Sequence, residues 1–113
     1  MTNINHIDNG FIGLYNSNFK LLNRYPLYDI HIDSLITHNN NFYLTIEENE
    51  GGFIYKGSIN NETNMIEIKK KIKVDGFPHG IDINKTYNLL GFTSYATSSA
   101  YLLSLDELDE LKL

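Results

Sequence analysis

A seven-residue segment returns along this chain, and the spacing of the returns constrains the fold more than any single residue does. Gly10-Phe11-Ile12-Gly13-Leu14-Tyr15-Asn16 recurs as Gly52-Phe53-Ile54-Tyr55-Lys56-Gly57-Ser58. It recurs again in weaker form as Ser99-Ala100-Tyr101-Leu102-Leu103-Ser104-Leu105. The step from Gly10 to Gly52 is 42 residues, and the step from Tyr55 to Tyr101 is 46. A unit of this length cannot bury its own apolar faces and must stack on its neighbours; about three or more are usually needed for stability. The 113 residues hold about two and a half such units, approximately 10–51, 52–98 and a partial 99–105, followed by a tail at 106–113.

Between turn signals the units read as short strands. Strands are expected at Phe11–Tyr15, Phe19–Tyr25, Ile30–Ile36, Phe42–Ile46, Phe53–Ile59, Met65–Val74, Ile81–Ile83, Asn88–Ser94 and Ala100–Leu105. Pro26 ends the second or marks it as an edge. Asn16-Ser17-Asn18 and Asn39-Asn40-Asn41 are turn chemistry. Glu47-Glu48-Asn49-Glu50-Gly51-Gly52 could hold a hard cation through its oxygens but reads first as a solvated hairpin loop, and Asp75–Gly80 reads as a turn. The Lys69-Lys70-Lys71-Ile72-Lys73 run reads as the solvated face of an edge strand, where Lys opposes sheet-to-sheet aggregation. Leu105, Leu108 and Leu111 place a short helix or frayed end over Asp106–Leu113.

A period of roughly 40–45 residues filled with short strands is that of a β-propeller blade. The expected fold is therefore all-β, built of antiparallel four-stranded propeller blades in a single domain over 1–113. The segment from Gly10 aligns with that from Gly52, and Leu35–Ile59 aligns with Ile81–Leu105. Together these alignments make the chain begin and end in mid-blade. It is then a partial propeller, or a ring closed by copies; three copies of a two-blade unit would make six blades.

Composition excludes several classes. The net charge is −5 and the only basic run is the lysine strand, so no nucleic-acid partner is expected. There is no Cys for a disulfide or a thiolate metal site. Met1–Asp8 lacks the basic and apolar regions of a signal peptide, and no apolar run reaches membrane length, so a cytoplasmic protein without a membrane partner is expected. Neither a phosphate loop nor a Ser nucleophile elbow occurs.

Phe77-Pro78-His79-Gly80-Ile81-Asp82-Ile83, followed by Leu89–Tyr95 and Ala100–Leu105, resembles the blade of lactonase-type propellers: the gluconolactonase-like, paraoxonase-like and YVTN-repeat groups. The resemblance covers roughly residues 74–106. It implies that the Pro-His-Gly turn opens an innermost strand, with His79 facing a central channel. In paraoxonase-like enzymes a His in this setting is associated with lactone hydrolysis over calcium. The resemblance thus implies His79 as a catalytic candidate with calcium or another divalent cation, acting as proton acceptor for water. A structural reading stands beside it, in which Pro78 and Gly80 shape a turn that the His fills.

His31, in Asp29-Ile30-His31-Ile32-Asp33, opens the corresponding strand of the preceding unit. His31, Asp33, His79 and Asp82 are the candidate channel-facing residues, able to converge on a metal or small ligand. His6 and His38 read as loop residues. Three functions follow: a binding or interaction module that associates with itself or with missing blades and takes a small molecule; a lactonase- or arylesterase-like hydrolase; and a truncated propeller remnant without activity of its own.

Overall fold

The computed structural model describes residues 9–106, and over these the chain is all-β. Nine strands among the described residues form three antiparallel sheets of two, four and three strands. β1 (Asn9–Tyr15) pairs with β2 (Leu21–Tyr28). The central sheet runs β3 (His31–His38), β4 (Asn41–Glu48), β5 (Gly51–Ile59) and β6 (Ile66–Val74). The third runs β7 (Pro78–Asn84), β8 (Leu89–Ser94) and β9 (Ser99–Ser104). Sheet neighbours are always sequence neighbours, so each sheet is a meander of hairpins. His6, and the helix expected over 106–113 apart from Asp106, lie outside the described residues.

β2 continues through Pro26 to Tyr28 and pairs only with β1, so of the two readings of Pro26 the edge strand is the one found. Three expectations need correction. Glu47 and Glu48 belong to β4, paired with Gly52 and Gly51, so only Asn49 and Glu50 remain to make the turn. Pro78, His79 and Gly80 are already strand, because Pro78 pairs with Ser94. His38 closes β3 opposite Asn41 and is not in a loop. Period-two alternation was weak at each of these sites, so turn-type residues outweighed it in the sequence reading.

The core explains why the three sheets stay together. Five consecutive β4 residues, Phe42 to Ile46, are buried, which requires cover on both faces of the central sheet. Phe42, Leu44 and Ile46 pack with Leu27, Ile30, Tyr55 and Ile66, and with Ile12, Leu14 and Tyr25 of the first sheet. Tyr43 points the other way, into a second core with Ile54, Ile72, Leu90, Phe92 and Leu105. The strand alternation thus divides one strand between two cores.

Two bulges complete this division. Ile32 packs toward the first core and Ile36 toward the second, although their even spacing would place them on one face. The irregularity between Ile32 and Ser34 inserts Asp33 and reverses the faces. β6 does the same: Ile66 and Ile68 face the first core, and Ile72 and Val74 the second, across a register shift opposite Lys56/Gly57. β6 pairs only with β5, as an edge strand with exposed lysines should. Lys71 and Lys73 lie over the rings of Tyr55 and Phe53 at 5.1 and 5.2 Å.

Candidate functional site

His31 and Asp33 are two apart on β3, and Glu47 is the cross-strand partner of His31. An even ladder from the Asn39-Asn40 turn would set Glu48 opposite His31; the bulge at Asp33 shifts the register by one, sets Glu47 there and brings the three side chains together. The bulge then tucks Asp33 inward. Its side chain is 8% exposed, against 55% for His31, and its Oδ1 accepts from His31 Nε2 at 3.0 Å. Bulges commonly re-aim side chains beside functional sites.

The third sheet repeats this arrangement. The bulge between Pro78 and Ile81 holds His79 and Gly80, with Gly80 N donating to Thr93 Oγ1 at 3.1 Å. Asp33 lies two residues before the pair Leu35↔Leu44, and His79 two before the pair Ile81↔Phe92. Glu47 and Tyr95 each lie three residues beyond the far member of those pairs. These equivalent positions face one open cleft of about 800 Å³, whose wall includes Asp33, Glu47, His79, Thr93 and Tyr95. The sheets are tied at this level by Thr45, fully buried, whose Oγ1 donates to His79 O at 2.9 Å. Tyr95 reaches back, its hydroxyl donating to Glu47 Oε1 at 2.8 Å. Its ring meets His79 edge-on with centroids 6.1 Å apart and stacks on Phe77.

The cleft wall therefore holds Asp33 and His79 of the candidates read from sequence, and His31 reaches it only through its bond to Asp33. Asp82 falls elsewhere: it is exposed and borders a separate apolar groove of about 300 Å³ with Gly91, Ala100 and Leu102. Tyr95 was missed, and Glu47 was read only as one of an acidic loop cluster. Sequence spacing did not give Glu47, since continuing the β3–β4 ladder evenly from Asn39-Asn40 places Glu48 opposite His31, and only the bulge at Asp33 brings Glu47 there.

Burial lifts the Glu47 carboxyl above its ordinary range. The neighbouring Asp33 carboxyl adds to this by hydrogen bonding and by like charge, while the Tyr95 hydroxyl and His31 work against it. When both carboxyls are ionised neither can donate, and Asp33 Oδ2 is left buried without a hydrogen-bond partner. The Tyr95 phenol is pushed up to about 12, chiefly by its bond to Glu47. A carboxyl raised in the folded state stabilises fully below its unfolded value and loses that contribution as pH rises through the folded one. Glu47→Gln, which keeps an acceptor for Tyr95, should therefore raise the melting temperature at pH 7. The gain should vanish below about pH 4, where Glu47 is protonated in both states. Thermal unfolding across this range checks the sign.

The chain matches no protein-family model, no curated protein and no solved structure.

Proposed function

We propose that this chain is a β-propeller-repeat binding module, which takes a small polar ligand in the cleft between its second and third sheets and stacks end to end with copies of itself. The observation that supports it best is the repeated site: equivalent bulge and strand-end positions of consecutive sheets converge on one cleft. Such convergence at inner strand ends is how a propeller builds its channel mouth.

The end faces support the stacking. On the first sheet, the face turned away from the central sheet carries Phe11 at 46% exposure and Tyr15 at 53%. On the third sheet, the far face is the groove beside Gly91, Ala100 and Leu102. Aromatic side chains on one end meet small residues on the other, with Arg24 near Phe11 and Asp82 in the groove supplying opposite charges. Since the three sheets stack in one sense within the chain, head-to-tail association continues the same geometry and closes if the rotation allows. Leu102, 73% exposed, sits in that groove. Leu102→Asp should leave the fold intact and reduce the associated species to a monomer in light scattering; an unchanged mass would remove the groove from the interface.

His79 beside the carboxylates favours a second reading, a hydrolase of lactones or aryl esters with a divalent cation. Hydrolysis of phenyl acetate or a γ-lactone that stops on chelation and in His79→Ala would carry it; full activity in either case would exclude it.

A further inference from the structure

A preformed set of donors borders the cleft through Asp33 and Glu47, and this deepens the reading of the cleft as a ligand site. One ligand atom from each of His31, Asp33 and Glu47 lies within 4.8 Å of the other two. Acidic clusters are common without ions, so the decisive observation is separate. Asp33 is more than nine-tenths buried at the cleft wall, and with both carboxyls ionised its Oδ2 has no hydrogen-bond partner there. A buried carboxylate oxygen left unsatisfied costs free energy that a fold normally avoids.

We propose that His31, Asp33 and Glu47 form a binding site for a single divalent transition cation of the zinc class. The donor set selects the class. One imidazole nitrogen with two carboxylate oxygens suits zinc or its borderline neighbours, whereas calcium takes six to eight oxygens, roughly, and rarely imidazole. Three protein ligands leave coordination positions open, and the open side is the cleft, where His79, Thr93 and Tyr95 stand. On binding, the ion displaces the proton on His31 Nε2 into solvent, so affinity falls with acidity. The fold supplies the ligands from one β3–β4 ladder, so a single chain contains the whole set whatever its state of association.

Isothermal titration calorimetry of the whole chain with zinc chloride at pH 7 tests this, with Asp33→Asn, Glu47→Gln and His38→Ala as variants. The expected result is one zinc per chain, weakened at least tenfold in Asp33→Asn and in Glu47→Gln, unchanged in His38→Ala, and much tighter than calcium. Far-UV circular dichroism confirms that the variants are folded, and Glu47→Gln, expected to be the more stable protein, keeps the test valid if Asp33→Asn unfolds. Absence of zinc binding by the folded chain, undiminished binding in Glu47→Gln, or preference for calcium each overturns the proposal. None of these outcomes alters the association measured by Leu102→Asp, so failure of the metal site and failure of the stacking reading are distinguishable.

Discussion

Phe42→Ala should lower the unfolding free energy by about 3–5 kcal/mol, a large part of the roughly 5–15 kcal/mol that holds a domain together. Phe42 is 1% exposed and fills the first core between the two-stranded and four-stranded sheets. Its ring occupies the space above Gly57, where a Cβ would fall 2.1 Å from Cζ. Glycine is required there because the ring takes the place of a side chain. A specific non-additivity follows. Gly57→Ala alone should be strongly destabilising, since the ring is enclosed and cannot move aside. On the Phe42→Ala background the same change should cost little, because the colliding atoms are gone. Urea unfolding of the two single variants and the double variant measures this coupling; additive costs would contradict the packing described.

Gly52→Ala should be nearly as damaging, by about 3 kcal/mol, through a different mechanism. A Cβ at Gly52 would lie 2.2 Å from Gly76 O and 2.4 Å from Pro78 Cδ. These are backbone and ring atoms of the connection between the second and third sheets, and neither can rotate away. The third sheet would have to shift, carrying His79 and Tyr95 out of register with Asp33 and Glu47. The variant should therefore lose the Tyr95–Glu47 hydrogen bond as well as stability. Its signature is a Tyr95 phenol that titrates below about 12, toward its ordinary value. Loss of stability with an unmoved Tyr95 titration would show that Gly52 does not set the spacing of the two sheets.

Much of the architecture was legible in the sequence, because it rests on local signals. Alternating apolar residues and Asn-rich turns placed the strands. What stayed hidden depends on register and on contact between sheets. Asp33 and His79 are bulge residues, and a bulge is an interruption of alternation with no residue signature of its own. That is why Pro78-His79-Gly80 read as a turn and why Glu47, in an acidic stretch ending in two glycines, read as loop. Asp82 was grouped with the candidates because it lies in the strand that the Pro-His-Gly segment opens. In the structure Asp82 turns to the groove beside Leu102, while His79 faces the cleft. Tyr95 was beyond reach for another reason: its bond to Glu47 spans 48 residues and two sheets.

The stacking of end faces is the claim on which the account depends most, and solution mass tests it most directly. Multi-angle light scattering after size exclusion, at tens of micromolar chain, should give a single defined species of several chains, reduced to one chain by Leu102→Asp. A soluble wild-type monomer at that concentration, with Phe11, Tyr15 and Leu102 still open to solvent, would contradict it.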